Sequence, residues 1–558
     1  MIHRDITVER PRNTKIQKKD GHRYVYFVTS SEYKPDRGYN TDRRVCVVRM
    51  VEDDKESRNE HMYPNDAFRE FFPNEEGMEV EFPDFSRTLK VGGSLMIRKI
   101  MMENQMYELI RSVYEEEADT ILNLIVYMIL FETSVFQYYP EMMRNHPVYG
   151  GKIHGDGYLS EFLRKEEQEE RVRLFMLGWN QIRRDKEAIY ISYDSTNINT
   201  SAENMDMAEF GHAKDDPDLP QVNISYAVDQ KDGTPLFYEL YAGSVIDNQQ
   251  CDRMVEKAAD YGYHQVGFIL DRGYYSGRNI RYMDNKGYEF VIMMKDCYRS
   301  VKEIIHPAMI QLRQFKAKYY IAEHDVCGMT VEGSLYGKKR YMHVYFNNSR
   351  AAAEENRIME GVAEKERQLI ALAEKKTVQK EKIEKNYKEF KLKADMNGYL
   401  LSYKQNDKYI QKMMENTGYF VIVTSEKMSA ERALDIYRDR DISESMFMMM
   451  KSELEYSKFR VHGDQAMKAK TQIVFLASIV RNAIHQKLKP VIKQTKDRKN
   501  YTVPAALHAL ENIEVTKNNH DKYMREYALT KRQKKILAAA DLSVKDVDLM
   551  AQNLPDVF

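Results

Sequence analysis

The sequence predicts an α/β protein, a mixed sheet flanked by helices and preceded by a β-rich and then a helical region. Three observations point there. Strand-like and helix-like runs follow one another as β-β-β-α-β-α-β between residues 187 and 296. Strand character returns at GYFVIVTS (418–425), after a long charged stretch has interrupted the layer. Three runs with helical apolar spacing fill residues 91–185. At 558 residues the chain exceeds one hydrophobic core, and about 150 residues per domain suggests three or four.

In chain order, YVYFVTSSEY and RRVCVVRMV are strand-like and separated by the turn-forming KPDRGYNTD, which predicts a hairpin. Ahead of them, the basic residues 1–23 form either an arm that touches phosphate or a solvated terminus, the plainer reading. The helical runs are MIRKIMMENQMYELIRSVY, ADTILNLIVYMILFETSVFQYY and LSEFLRKEEQEERVRLFMLGWNQIRR, the last holding the only tryptophan, Trp179, as a core anchor. EAIYISYDST is a strand, and VNISYAVDQKDGTPLFYELYAG is a hairpin around a DG turn. Short amphipathic helices (251–263, 277–288) then alternate with the apolar strands VGFILDRG and EFVIMMKD. Strand-like KYYIAEH and RYMHVYF lead into Arg350–Lys393, spaced as a helix or helical hairpin. A helix is expected from about Ala430 to Tyr456, another over 471–484, and then a basic tail broken by Pro490. The expected domains are 1–90, 91–185, 186–300 together with 418–490, 301–417, and 491–558.

Composition narrows the function classes. Lys plus Arg (85) nearly cancels Asp plus Glu (86), which excludes a uniformly basic nucleic-acid coat and leaves local basic surfaces open. The four cysteines form no CxxC, and Cys327 with His324 supplies too few ligands for structural zinc. A reducing, cytoplasmic setting is expected. MIHRDITVER has no apolar signal core, and the apolar window Ile121–Phe131 is too short for a bilayer, so no membrane partner is expected. No GxxxxGK[ST] occurs, so no nucleotide cofactor is implied.

Two aspartates each close an apolar strand, Asp194 after IYISY and Asp271 after VGFIL. Open α/β sheets place ligands at this carboxyl edge, and on neighbouring strands the two carboxylates would share a divalent cation. An aspartate after a strand also serves as a helix cap or turn residue. In the helix from 430, Tyr437, Arg440, Glu444 and Lys451 lie at offsets of 0, 3, 7 and 14, within roughly 60° of one another on a continuous α-helix. Ile442, Met446, Met449 and Met450 form the opposite, core-facing stripe. A solvated face with charge pairs would look the same.

That spacing, Tyr437-x2-Arg440-x3-Glu444-x6-Lys451, resembles the YREK signature of DDE transposases of bacterial insertion sequences, of the insertion-sequence-four group and its sixteen-thirty-four relatives. The resemblance extends through YDST (193–196), GHAKDDPDLPQVNISYAVDQKDGTPL (211–236) and LDRGYYS (270–276). It implies an RNase H-like catalytic domain with the acidic triad Asp194, Asp271 and Glu444, and an insertion domain at 301–417. It implies two Mg2+ ions held by the triad, with Mn2+ as substitute, and a reaction that cleaves and joins DNA at the element's ends. Tyr437, Arg440, Lys451 and Arg272 are the implied DNA contacts; Tyr274 beside Arg272 is a further candidate. The implied partners are double-stranded DNA, as terminal inverted repeats and target, and a second copy in a homodimeric synaptic complex within a bacterial cytoplasm, acting at the nucleoid. Residues 1–90 and 91–185 are candidates for DNA contact and end binding, and 491–558 for dimerisation or DNA contact. Some relatives use an aromatic wedge from the insertion; Trp179 lies outside it, leaving Tyr or Phe, for example within KYYIAEH. The alternatives are an RNase H-fold nuclease that cuts without joining and a catalytically silent DNA-binding protein.

Overall fold

The computed structural model describes residues 8, 10–19, 22–35, 38–50, 62–72, 88–165, 168–184, 190–202, 204–211, 216–264, 266–295, 301–375, 378–517, 522–525 and 527–558. The chain divides into two compact units, Met1–Ser86 and Arg87–Phe558. In the first, β1 (Thr14–Lys19), β2 (His22–Lys34), β3 (Tyr39–Met50) and β4 (Met62–Pro64) form an antiparallel sheet in that order, followed by helix α1 (Asp66–Phe71). Strands β2 and β3 are the predicted hairpin, and Val25, Val47, Val48, Met62 and Phe68 close a small core. The basic segment expected as a solvated terminus instead contributes β1, paired with β2 from Thr14↔Phe27 to Lys19↔His22. Residues 1–7, 9, 20 and 21 of that segment lie outside the described residues.

The second unit opens with helices α2 (Gly92–Glu103), α3 (Met106–Tyr114), α4 (Ala118–Phe131) and, after shorter turns, α5 (Gln168–Arg184). The single helix expected over 96–114 breaks because Gln105 adopts a left-handed φ of 58°. Helix α4 holds the apolar window, is buried along nearly its whole length, and stops at Glu132, also left-handed. Among the described residues no single helix is long and apolar enough to cross a membrane; one pair bent by 100°, Met106–Phe131 with Phe136–Asn145, meets the criteria by length and composition only. Trp179 is buried and donates its indole N–H to the Pro235 carbonyl at 2.9 Å, tying α5 to the sheet.

That sheet has nine strands. In chain order they and their helices are β5 (Tyr190–Asn199), β6 (Gln221–Asp229), β7 (Pro235–Ala242), α6 (Asp247–Asp260), β8 (Gly267–Leu270), α7 (Gly277–Lys286), β9 (Glu289–Met293), α8 (Lys302–Gln314), β10 (Tyr320–Ile321), β11 (Val326–Leu335) and β12 (Lys338–Phe346). There follow helix α9 (Asn348–Lys375), the hairpin β13 (Phe390–Ala394) and β14 (Leu400–Gln405), and helix α10 (Asp407–Met414). The chain then returns as β15 (Tyr419–Thr424), α11 (Ala430–Arg438), α12 (Asp441–Met448) and the long α13 (Asp464–Gln494). The spatial order is β10-β11-β12-β15-β9-β8-β5-β6-β7. Strands β5, β8 and β9 are parallel; every other pairing in the sheet is antiparallel. Alternation sends Ile191, Tyr193, Phe268 and Leu270 into one core and Ile269, Val291 and Ile422 into the other, which α11 covers with Leu434 and Ile436.

Several local expectations are corrected. RYMHVYF lies within β12, but KYYIAEH gives only the two-residue β10 between a helical turn and a 3-10 turn. Residues 320–346 therefore extend the main sheet beyond β15. The helical reading of Arg350–Lys393 holds for the 28-residue α9 and a short helical turn at Lys380–Ile383; the segment ends as strand β13. There Leu369, Phe390, Leu392 and Leu400 form a separate small core. Pro490 does not stop α13, which runs 31 residues to Gln494. The expected helix 430–456 is two helices and a π-helical turn, Met449–Glu453.

Candidate active site

Asp194 was expected to end its strand. Strand β5 instead continues because its antiparallel partner β6 pairs with it as far as Asn199↔Gln221, while the parallel pairing with β8 stops at Tyr193↔Leu270. Asp194 and Asp271 therefore take the next position on two adjacent parallel strands, at the carboxyl edge. The backbone N–H of Ser195 donates to Asp194 Oδ1 at 2.8 Å.

The helical segment from 430 delivers three further side chains. Arg440 donates from Nη1 to Asp194 Oδ2 at 3.1 Å and from Nη2 to Glu444 Oε1 at 2.8 Å. Tyr437 donates its hydroxyl to Asp271 Oδ1 at 2.9 Å. The Arg440 guanidinium stands 5.7 Å from the centre of the Tyr437 ring. The structure thus brings Asp194, Asp271, Tyr437, Arg440 and Glu444 together. Burial, and then the charge of Asp271, push the Tyr437 hydroxyl pKa far up, so the phenol stays a proton donor to that carboxylate. Burial opposes the Arg440 charge, but Tyr437, Asp271, Asp194 and Glu444 outweigh it and raise the guanidinium above its usual value.

Lys451 sits half-buried on the π-helical turn, whose winding is wider than that of the continuous α-helix assumed for its offset from Glu444. Arg272 is exposed on the short turn that follows Asp271. Tyr274 is not available to DNA: it is buried with its ring 5.4 Å from that of Tyr193. The hairpin turn DQKDG also holds no ion-like cage, because Asp229 and Asp232 both accept from Arg183, at 3.0 and 3.1 Å.

Two positioning contacts escaped the sequence. Ser192, two residues before Asp194, and Ser443, one before Glu444, share a hydrogen bond of 2.6 Å between hydroxyls that are fully buried. It pins α12 to β5. Gln230 donates to the Ile436 carbonyl at 2.6 Å and holds the end of α11 against the β6–β7 turn. In that turn Gly233 adopts φ 70°, and a Cβ there would come within 2.9 Å of Ile442 on α12. Ser192 and Ser443 lie within two residues of an acid, and no spacing in the sequence links them or joins Gln230 to Ile436.

Among the described residues, no three acidic, His or Cys side chains stand close enough together to hold a metal ion as they are. A cavity of about 750 Å³ lies against α12, lined by Ile442, Met446, Met449, Arg481 and His485 among others, but none of the five clustered residues lines it.

Acidic side chains from adjacent parallel strands, joined by a third from a helix, mark a site that concentrates negative charge at a sheet edge, as metal-assisted phosphoryl chemistry requires. The transposase DDE domain family matches residues 188–480, more than half of the chain, and the chain belongs to that family. It is thus a DDE transposase, of a class that binds, cuts and joins DNA and generally uses divalent metal ions. No curated protein matches the chain. Among solved structures it is similar to a cryo-EM structure of the piggyBac transposase synaptic complex with hairpin DNA, with a TM-score of 0.34 and 7% identity over 84% of this chain and 74% of that one. A likeness of that size carries no argument.

Proposed function

We propose that this transposase is of the bacterial insertion-sequence type with the YREK signature, and that Asp194, Asp271 and Glu444 are its acidic triad. The order β7-β6-β5-β8-β9, with β5, β8 and β9 parallel, supports an RNase H-like core built from 186–300 and 418–490, with 301–417 as the insertion. The observation that carries the proposal is the pairing of one helical segment with both strand-end acids, Tyr437 with Asp271 and Arg440 with Asp194 and Glu444.

The donor set fits a hard divalent cation, since all three acids offer carboxylate oxygens. Asp194, Asp271 and Glu444 would hold Mg2+, or Mn2+ in its place, as two ions per site. Bound there, the ions supply Lewis-acid activation of the attacking and leaving oxygens. Arg440 already neutralises part of the carboxylate charge through one oxygen of Asp194 and one of Glu444, and would compete with a cation for them. Its planar fork then suits a DNA phosphate, which it can grip through two N–H groups. Tyr437 keeps Asp271 aimed, and the Ser192–Ser443 bond keeps Glu444 over β5. Lys451 and Arg272 are proposed to meet the DNA backbone beside the site. Terminal inverted repeats and target DNA are the substrates, handled by a homodimer in a bacterial cytoplasm.

The test is cleavage and strand joining on duplexes that include the DNA flanking this gene, with Mg2+, Mn2+ or EDTA, for the wild type and Asp271→Asn. The expected outcome is metal-dependent cutting at both flanks and joined products, with a loss of at least about a thousandfold in the variant, whose amide still accepts from Tyr437. Cutting without joining would make the protein a nuclease. Binding without cutting would leave a silent DNA-binding protein.

A further inference from the structure

The hairpin β13–β14 carries a cluster of exposed lysines outside the site. Its inner face, Phe390, Leu392 and Leu400, packs into the small core with Leu369 of α9. Alternation therefore turns Lys391, Lys393 and Lys404 to the opposite face, where all three are exposed. Lys391 pairs directly with Lys404, and Lys393 with Ser402. Like charges directly opposite one another weaken a sheet. Nothing in the hairpin relieves them. Glu389 is bonded to Lys365 at 2.9 Å, and Asp395 accepts from the N–H groups of Asn397 and Tyr399 within its own turn. None of the three lysines has an ion-pair partner among the described residues.

We infer that this lysine face is a docking surface for the phosphate backbone of duplex DNA, separate from the carboxylate site. It rests on DNA being the substrate. Successive outward side chains on a strand stand about 7 Å apart and opposed ones about 5 Å, so three ammonium groups cover a patch that spans two or three phosphates. The surface is an open sheet face rather than a cavity, which suits an extended polyanion and not a small ligand. Hydrated point charges without planar hydrogen-bonding partners recognise charge, not base sequence. The contact is therefore one of grip and register on the duplex. An anionic lipid surface offers similar charge, and exposed Met396 and Leu401 at the hairpin's end would enter it. DNA is favoured because the chain is a transposase.

The full-length protein is titrated with a fluorescent duplex over a series of salt concentrations, as wild type, as Lys391→Ala/Lys393→Ala/Lys404→Ala and as the matching triple arginine variant. The alanine variant should bind roughly tenfold more weakly, with a log K against log salt slope shallower by about two to three. The arginine variant should keep the wild-type slope. Removing the Lys391–Lys404 repulsion should leave the alanine variant's melting temperature equal or higher, so weaker binding will not reflect unfolding. Wild-type binding with an unchanged slope in the alanine variant would overturn the docking surface and leave DNA as substrate. No wild-type binding to any duplex would overturn both. Loss of the slope in the arginine variant too, or a lysine-dependent preference for phosphatidylserine vesicles over duplex, would also overturn it.

Discussion

Arg481 and Arg440 each bridge a pair of carboxylates, and the contrast between them separates a clamp from the proposed site. Arg481, 1% exposed, donates to Glu453 at 2.8 Å and Glu132 at 2.7 Å, joining α13, the π-helical turn and the end of α4. Arg440, 12% exposed, bridges Asp194 and Glu444 over similar distances, but Glu444 is 60% exposed and a third acid, Asp271, stands beside the pair. At Arg481 the ion pairs link three elements. At Arg440 the carboxylates outnumber the guanidinium on the side that faces solvent, which is the surplus a divalent cation would take up.

The comparison breaks if the two arginines respond alike to removal. Arg481→Met should lower the unfolding free energy by about 2 kcal/mol, because the buried guanidinium that ties three elements together is lost, while Glu132 and Glu453, each about a third exposed, are partly rehydrated. Arg440→Gln should cost only about 1 kcal/mol, since Glu444 rehydrates and Asp194 keeps the Ser195 N–H. Adding Mn2+ should raise the melting temperature of Arg440→Gln more than that of the wild type, the ion no longer competing with a guanidinium. Urea melts with and without Mn2+ measure both effects. Equal losses, or no extra response to Mn2+, would put Arg440 with the clamps.

A third buried cation sharpens the contrast because it has no acid bonded to it. Lys470 is 1% exposed, donates to the Phe459 carbonyl at 2.8 Å and lies 5.2 Å from the centre of the Phe136 ring. Burial first, and then the charge of Arg460, lower its pKa to about 7, against opposition from Glu455. The folded value lies below the unfolded one, so between about pH 7 and 10.5 the unfolded chain binds more protons and stability rises with pH. The slope is at most about 1.4 kcal/mol per pH unit. Lys470→Met should remove this rise and exceed the wild type in stability most clearly at and below about pH 7. Parallel pH profiles for the two proteins would mean that Lys470 stays charged in the fold.

What could be read beforehand follows from the range of the interactions. The β6–β7 hairpin was legible because its period and DG turn are local. Asp194, Asp271, Tyr437, Arg440 and Glu444 could be placed near one another because two adjacent strands and one helical segment suffice to gather them. The break after Arg438 and the π-helical turn were not legible, since residue spacing is the same whether or not a helix winds evenly. Nor was the addition of β11 and β12 beside β15, a pairing between segments separated by α9 and a second hairpin. The pairing of Ser192 with Ser443 is harder still, because a small polar residue beside an acid has no pattern until the fold sets the two opposite each other.

That serine pair carries an expected effect on stability no larger than that of Arg440→Gln and the most direct test of what distinguishes the Arg440 site. Ser443→Ala leaves the Ser192 hydroxyl buried without its partner and should cost about 1 kcal/mol. Ser192→Ala together with Ser443→Ala should cost less than the two single changes summed, because both halves of one bond are then gone. If the bond serves only packing, cleavage should follow stability and the double variant should be nearly as active as the wild type. If it holds α12 in place, Glu444 loses its seat over β5 in every variant. A displacement of about 1 Å is enough to slow a positioned reaction by a hundredfold. Cleavage should then fall at least tenfold in the double variant as well, while DNA binding, to which the serine hydroxyls make no charged contribution, falls far less. Arg481 has no such dependence on fine placement, since a clamp needs its charges near one another and a reacting site needs them in register.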